Sequence, residues 1–474
     1  MVRRKSGGKR RREQGQSEVS ERRAAERTVI TPDTPYGECS ERLTAFGGLL
    51  ALVKFLDLIG FQSAFEEHYV HPKRVPKLGG YRMVLGMLVL LFIGFQRLGH
   101  FAYVRTDAMV CGVLRVGILP AVSTFWRYLT SLGIVQSASL LRVGAALRTK
   151  VWGLCEYAPW RVTVNIDTTV ATVYGAIEGA RKGHNTKHRG KKGLRPVLCF
   201  LDETREYLCG TQRRGETIRN EEVARQIRQF PGQLPACVRE VHVRGDGEFI
   251  GWDSVKACLD KGFFFTFGNK RCDPPFPHEG WYRHGEYEYN ECVYQPLGWE
   301  QPCRFVVMRI REDQRGDRQL KLLESENYLY RVFATNEKSR PHRVIDNYDQ
   351  RADAENLIGE AQREGVLAIP SKRFQAHHAF FQIVMLGYNL WRWMKLLARH
   401  AERQKHRGAE VPVPQQIAMP DHTIRIARLK MLFVAAKILF HSNRDEVRYS
   451  IHEQRSAGLI DFLAYLDRRR KEAA

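Results

Sequence analysis

The feature that most constrains the fold is a change of hydrophobic period near residue 160. From about residue 40 to residue 150, apolar residues recur at helical spacing, as in LTAFGGLLALVKFLDLIGF and YRMVLGMLVLLFIGFQRLGHFAYV. From residue 160, WRVTVNIDTTVATVYG has the alternating, β-branched character of a strand. The segments that follow predict the order β-β-β-α-β-α-β over residues 160–268. We therefore predict a helical region followed by an α/β region.

The charge balance points to a polyanionic partner. The 474 residues include 75 Lys and Arg against 52 Asp and Glu, a formal net charge of +23. Such an excess favours nucleic acid, with ribosomal, membrane-surface and merely soluble basic proteins as competing classes. The ten cysteines form no C-x-x-C pair, which argues against structural zinc. No apolar segment follows the N-terminal MVRRKSGGKRRR, and the run at 83–95 is too short to span a bilayer. We expect a cytoplasmic protein without a membrane partner.

The predicted order of elements defines a fold class. Three consecutive strands followed by alternating helices and strands is the order of a ribonuclease-H-like catalytic core. Aromatic-rich strands such as GEYEYNECVY predict a β-rich insertion, and TIRIARLKMLFVAAKILFH (423–441) predicts a basic amphipathic helix. We expect helical DNA-binding segments before and after the core. The predicted divisions are a disordered basic tail (1–38), a helical DNA-binding region (39–158), the first part of the core (159–269), the β-rich insertion (270–336), the second part of the core with a Glu-bearing helix (337–400), a linker (401–421) and a C-terminal basic helical segment (422–474).

The segment LPAVSTFWRYLTSLG (119–133) is a candidate DNA reader. Ser123 or Thr124 could cap a short helix that carries Arg127, and the next turn ends in Gly133. A short capped helix after another helix suits a helix-turn-helix motif, although many plain helix pairs share this pattern. Arg127 is the candidate DNA contact of this segment.

Two aspartates lie within or at the end of a predicted strand. Asp167 lies in the middle of VTVNIDTTVA, and Asp246 lies where VREVHVRGDGEF leaves its strand. A carboxylate on a central strand is unfavourable unless a cation neutralises it, and Mg²⁺ accepts such hard oxygen ligands. Each acid also has an ordinary interpretation. Asp167 could cap a turn or pair with a buried arginine, and Asp246 stands in an ordinary turn sequence.

A third acid lies on the predicted helix NYDQRADAENLIGEAQREG. Steps of three and seven residues bring Tyr348, Arg351 and Glu355 within roughly 60° of one another on one helical face. Glu355 could simply face solvent. With Asp167 and Asp246, however, it would complete a set of carboxylates able to hold two ions for an in-line phosphoryl displacement. The strand order and the basic surplus favour this interpretation, so we predict that the three acids are catalytic and bind Mg²⁺, with Mn²⁺ able to substitute.

The segment RKGHNTKHRGKKGLR (181–195) contains seven Lys and Arg and no acid. It follows the strand that bears Asp167, so we expect it to flank the metal site and neutralise phosphates there. A solvated loop is the alternative. Its candidate DNA contacts are Lys182, Lys187, Arg189, Lys191 and Lys192.

Several segments, taken in order, resemble DDE transposases of bacterial insertion sequences. The spacing of Tyr348, Arg351 and Glu355 resembles the Y-R-E-K signature of that class. NIDTTVATVYGAIEGARKGHNTKHRGKKGLRPVL and VRGDGEF are similar to the first and second catalytic segments of the insertion-sequence family "IS thirteen-eighty". YNLWRWM and TIRIARLKMLFVAAKILFHSNR resemble its C-terminal segments. The resemblance covers residues 40–455, approximately.

The resemblance implies a cut-and-paste DNA transposase. Such a protein binds the terminal inverted repeats of a mobile element and catalyses metal-dependent DNA cleavage and strand transfer. Its acids would bind the metals, while Tyr348 and Arg351 would contact DNA phosphates. The signature Lys falls on Gln362 here, next to Arg363, which predicts a weaker phosphate contact. The implied partner is double-stranded DNA of the element ends and the target, bound by a homodimer in the bacterial nucleoid.

Two alternative functions stay open. One is a ribonuclease-H-fold nuclease without strand transfer, and the other is a catalytically silent DNA-binding protein derived from a transposase. The separate basic segments at 40–150 and 423–440 favour the transposase over the nuclease. The intact acid triad argues against the silent protein, whereas Gln362 is the one hint in its favour.

Overall fold

A computed structural model describes residues 30–183, 188–311, 328–406, 422–441 and 444–473. Three parts of the predictions lie outside these residues: the basic tail up to residue 29, Lys187, and the linker from residue 407 to residue 421.

A nine-stranded mixed sheet forms the centre of the molecule. Strand β2 runs antiparallel to β6 and parallel to β8, and β8 runs parallel to β9. Helices α7 (Asn220–Ile227) and α8 (Trp252–Asp260) lead into β8 and β9, so the predicted order β-β-β-α-β-α-β is confirmed for the main sheet. In spatial order the strands are β10 (Tyr282–His284), β11 (Tyr287–Tyr294), β12 (Cys303–Arg311), β13 (Tyr328–Thr335), β9 (Phe264–Gly268), β8 (Glu240–Gly245), β2 (Arg161–Thr168), β6 (Val197–Leu201) and β7 (Tyr207–Thr211).

Strand β2 occupies an interior position because its sequence suits burial on both faces. Val162, Val164 and Ile166 are buried on one face, and Asn165 is buried on the other. Strands with parallel neighbours are usually covered on both faces, which favours such apolar runs. The result is that the chain leaves β2 at the middle of the sheet.

The β-rich segment over 270–336 extends this same sheet. Strand β13 pairs with β9 through Phe333 and Gly268, and β12, β11 and β10 follow outward. The segment is β-rich as predicted, and its strands are hydrogen-bonded continuously to those of the predicted core.

Helices dominate the region before the sheet. Helix α3 is buried nearly throughout, as predicted for this apolar run, and its Phe92 stacks on Trp391 of the long helix α11 at 4.1 Å between ring centroids. Within the described ranges, no single helix is long and apolar enough to cross a membrane; one pair bent by 96°, Val122–Ser131 with Ile134–Leu154, passes that test jointly. The helices are α1 (Leu49–Leu58), α2 (Phe61–His68), α3 (Gly80–Phe92), α4 (Ala108–Val113), α5 (Val122–Ser131), α6 (Ile134–Leu154) and α11 (Phe374–His406), with a 3₁₀ turn at Leu98–Val104.

Helix α5 begins earlier than the sequence suggested. Its N-cap is Ala121, which makes no side-chain cap, so the predicted cap by Ser123 or Thr124 is wrong. The backbone already turns helical at Val122, which places both hydroxyl residues inside the first turn. Arg127 is exposed on this helix, and its contact with DNA stays a prediction.

The predicted helix over 423–441 is also wrong in its second half. Helix α12 (Ile424–Met431) ends early, and β14 (Ala436–His441) pairs with β15 (Arg444–Tyr449) and with β1 (Leu43–Thr44). Two strand neighbours supply the backbone hydrogen bonds that a helix would have made internally. The C-terminal segment is therefore a helix, a hairpin and a final helix, α13 (Gln454–Ala473).

Candidate active site

The two predicted strand acids lie at the ends of neighbouring strands. Ile166 of β2 is in register with Gly245 of β8, and Asp167 and Asp246 are the next residues of these two parallel strands. Neighbouring strands are about 4.8 Å apart, so the two residues leave the middle of the sheet side by side. The register of the two strands thus brings together two acids that are far apart in the sequence.

A guanidinium contacts the first acid. Arg351 donates from Nη2 to Oδ2 of Asp167 at 2.8 Å and to the carbonyl oxygen of Ile166 at 3.2 Å. Burial raises the pKa of Asp167 to about 6; Arg351 acts in the opposite direction, and the charges of Asp246 and Glu355 raise the pKa further. Asp246 and Glu355 are therefore close enough to act electrostatically on Asp167.

The segment that bears Arg351 is broken into two helices. Helix α9 (Pro341–Asp349) ends before it, and α10 (Ala352–Ala361) begins after it, so the predicted single continuous helix is wrong. The Arg351 N–H bonds to the carbonyl of Tyr348 at 2.9 Å, and the carbonyl of Asn347, its helical acceptor, instead receives the guanidinium of the buried Arg244. A long-range hydrogen bond thus interrupts the helix.

Tyr348 and Arg351 both point toward the strand ends. The Tyr348 hydroxyl lies 3.4 Å from the carbonyl oxygen of Gly245, its ring packs on Phe333 at 4.6 Å, and burial raises its pKa. Glu355, on α10, is exposed. The predicted contacts of Tyr348 and Arg351 with DNA stay predictions.

The acids have the ligand chemistry of a divalent metal site, but they are not close enough together to form one. Asp167 and Asp246 present hard carboxylate oxygens at adjacent positions, which suits Mg²⁺ or Mn²⁺. Across the described ranges, however, no three His, Cys, Asp or Glu side chains stand close enough to hold a metal together. Asp167 and Asp246 would hold the metal, and Glu355 would have to approach to complete the set.

The family of the chain follows from comparison with known proteins. A family model described as "Transposase DDE domain group 1" matches residues 39–470. The chain belongs to this family of DDE transposases. No curated protein matches it. Among solved structures, a piggyBac transposase synaptic complex with hairpin DNA is similar with a TM-score of 0.42 and 9% identity, over 82% of this chain and 80% of that chain.

The DDE transposase has two site residues that the sequence did not single out. Arg195 donates from Nη2 to Oε2 of Glu248 at 2.6 Å and to Oγ1 of Thr168, the residue after Asp167, at 3.1 Å. Glu248 stands two residues beyond Asp246, whose Oδ1 accepts from the Glu248 N–H at 3.0 Å. The signals were present in the sequence, because Arg195 is the last residue of the basic segment and Glu248 is the second acid of the motif VRGDGEF.

The basic segment of the transposase lies beside the same strand end. Its described strands, β4 (Arg181–Lys182) and β5 (Lys192–Leu194), form a small sheet with β3 (Ala171–Thr172), which starts three residues after Thr168. Four of its five predicted DNA contacts are described and exposed: Lys182, Arg189, Lys191 and Lys192.

Gln362, at the position of the signature lysine, also reaches this strand end. Its Nε2 donates to Oγ1 of Thr169 at 2.6 Å, two residues beyond Asp167. Arg363 is exposed and lies alongside Gly359, toward the solvent side of the helix end. Position 362 is thus beside the acids, whereas Arg363 points away toward solvent and does not take the place of the signature lysine.

Buried ion pairs anchor the helix that carries Glu355. Glu360 bonds to the guanidinium of Arg392 on α11 and accepts from the N–H of Ile424 at 2.7 Å. Glu364, in the π turn after α10, bonds to Arg428 of α12, whose Nε donates to a carbonyl of α3 at 2.8 Å. Three helices from both ends of the chain therefore fix the position of α10.

Proposed function

We propose that this DDE transposase is a cut-and-paste enzyme that binds the terminal inverted repeats of a mobile element, cleaves the DNA and joins its ends to target DNA. The observation that carries the proposal is the placement of Asp167 and Asp246 at adjacent strand ends, with Glu355 within electrostatic range on α10. With Glu355 moved closer, these carboxylates would form the ligand set that metal-dependent phosphoryl transfer needs.

The sheet supports a ribonuclease-H-like core. Five of its strands belong to this core: β2, β6, β7, β8 and β9, numbered first to fifth along the chain. From the sheet edge inward they stand in the order third, second, first, fourth, fifth, and the second is antiparallel to the first. We propose that this core performs the chemistry and that the helical regions over 39–158 and 422–474 bind DNA. The boundaries of these divisions are part of the proposal.

The chain's own residues define the proposed mechanism. Mg²⁺, for which Mn²⁺ would substitute, supplies an activated water or 3′-hydroxyl and stabilises the leaving oxygen when bound. Asp167, Asp246 and Glu355 would hold it. Arg351, bonded to Asp167 here, has the planar guanidinium that matches phosphate oxygens, and Tyr348 would position the same strand.

The wider DNA contacts follow from exposed charge. Exposed cations beside the acids would neutralise phosphates of the bound duplex, and each such contact makes affinity depend on salt. We propose that two element ends are processed together by a homodimer on DNA, in the bacterial nucleoid. The proposed contacts are Lys182, Lys187, Arg189, Lys191, Lys192, Gln362, Arg363 and Arg127.

A cleavage-and-joining assay tests the function. Purified protein is combined with a labelled duplex ending in the flanking inverted repeat, a target plasmid and Mg²⁺, with Asp246→Ala as the control. Metal-dependent cuts at the repeat boundary together with labelled plasmid are expected. Cuts without joining would indicate a nuclease, and binding without either reaction would indicate a silent DNA-binding protein.

A further inference from the structure

A cavity of about 470 Å³ opens beside the edge strand β7, and none of the three predicted acids lines it. One wall is apolar and includes Ile134 and Leu141 of α6. The lining also carries four guanidinium groups, from Arg213, Arg214, Arg219 and Arg225, against two carboxylates, Glu216 and Glu222. The lining therefore carries a net positive charge.

Three of these arginines have no acidic partner in the part of the chain that the structure describes. Both acids of the rim are engaged elsewhere: Glu222 pairs with Arg213 at 2.5 Å, and Glu216 lies 3.6 Å from Arg181. The exposed arginines that remain are Arg214, Arg219 and Arg225, which we call the arginine rim. Glu222 also interacts electrostatically with Arg219, but none of the three guanidinium groups is held in an ion pair within the described ranges. A concave surface with such groups attracts phosphate, because the planar group matches its oxygens.

The floor of the cavity is polar and incompletely bonded. Oε1 of Gln212, Oε1 of Gln226 and Nε of Arg213 have no hydrogen-bond partner within the described ranges. Their residues are only 4%, 5% and 7% exposed, respectively, and all three line the cavity. Buried polar groups without partners are rare in folded proteins, so this floor suits a polar occupant.

The arginine rim lies close to the acids. Strand β7 is the second neighbour of β2, so the two strands are roughly 10 Å apart at 4.8 Å per step. Arg214 pairs through its backbone with Leu194, and the side chain of the next residue, Arg195, contacts Thr168 beside Asp167.

We propose that the arginine rim binds phosphates of the DNA on the β7 side of the bond that is cut. This inference rests on the proposed function, because it places the cut at Asp167 and Asp246. It adds a second set of phosphate contacts on the β7 side of the site, distinct from the basic segment over 181–195.

The salt dependence of DNA binding tests the proposal. In an Asp246→Ala background, which prevents turnover, Arg214, Arg219 and Arg225 are all changed to Gln. The control removes the same charge elsewhere, through Arg283→Gln on the opposite edge strand β10 and Lys338→Gln and Arg340→Gln between β13 and α9, three exposed residues. Affinity for a repeat-end duplex is measured from low to moderate salt.

Loss of three phosphate contacts should reduce the slope of log affinity against log salt by about 2.7, at 0.9 per contact, while the control reduces it by less than one contact. Changing the three arginines to Lys should keep the slope. Equal slopes for the Gln variant and the parent would overturn the inference.

If the triple variant does not fold, the single change Arg214→Gln tests the inference instead, with an expected slope change of about 0.9. Failure of the parent to bind the duplex would instead overturn the proposed function.

Discussion

Arg351 holds the carboxylate of Asp167 at 2.8 Å, at the end of an interior strand of the sheet. The guanidinium supplies the positive charge that a buried carboxylate requires. It also occupies Oδ2, an oxygen that a metal ligand would use. We infer that metal binding at Asp167 and movement of Arg351 toward a DNA phosphate are coupled, because one oxygen cannot fully serve both cations.

The three acids give the first prediction. Asp167→Ala, Asp246→Ala and Glu355→Ala should each abolish cleavage and leave binding of repeat-end DNA largely intact, because they remove metal ligands rather than cations. Gel-based cleavage and equilibrium binding check the two properties separately. Asp461→Ala, which removes an exposed acid on α13, serves as the control and should cleave normally. Loss of end binding in all three variants would contradict the metal-site assignment.

The raised pKa of Asp167 gives a pH-dependent prediction. The pKa is about 6 in the folded protein and 3.8 ordinarily, so the folded state binds more protons between about pH 4 and pH 6. Stability therefore falls as pH rises through this window, by about 3 kcal/mol at most. In chelator, Asp167→Asn should exceed the parent in urea-unfolding stability at pH 8, and this advantage should shrink by that amount at pH 4. An advantage that does not change with pH would contradict the shift.

The ion pair of Glu364 and Arg428 gives a stability prediction. Both side chains are buried, and they join the end of α10 to α12. Arg428→Ala should reduce the free energy of unfolding by about 3–5 kcal/mol, because it leaves the Glu364 carboxylate buried without its partner. Changing both residues to Met should reduce it by much less. Urea unfolding compares the two variants, and equal losses would show that the ion pair itself is not what matters.

Gln362 gives a prediction about affinity. Its side chain lies at the end of β2, beside Thr169, so a lysine there would place a charge near the acids. Gln362→Lys should strengthen binding to element ends and steepen the salt slope by about 0.9. Gln362→Met, a neutral change of similar length, is the control. An unchanged slope for the lysine variant would mean that position 362 does not face phosphate.

The order of strands and helices around the site was predictable because burial constrains it locally. The apolar residues of β2 and β8 could only form interior strands, and their register then brings Asp167 and Asp246 together. The acids stood out because each interrupts or ends such a run. Local pattern and long-range structure agree at these positions.

Other features depend on contacts that a local pattern does not contain. The helix break at Arg351 follows from a bond between Arg244 and the carbonyl of Asn347, 103 residues apart. Residues 436–441 form a strand because they pair with β1, which contains Leu43, and with β15, which contains Arg444. Each segment has helical spacing by itself, but hydrogen bonds to residues outside the segment determine its conformation.

The pairing of β1 with β14 has a consequence for synthesis on the ribosome. Leu43 pairs with Lys437, so the N-terminal strand must wait for nearly four hundred further residues before its neighbour exists. At translation speeds of about 5–20 residues per second, the delay is roughly 20–80 seconds. During that time the strand presents unpaired backbone groups, a surface on which nascent chains can associate wrongly. Completion of the N-terminal region is therefore a late event in the life of each molecule.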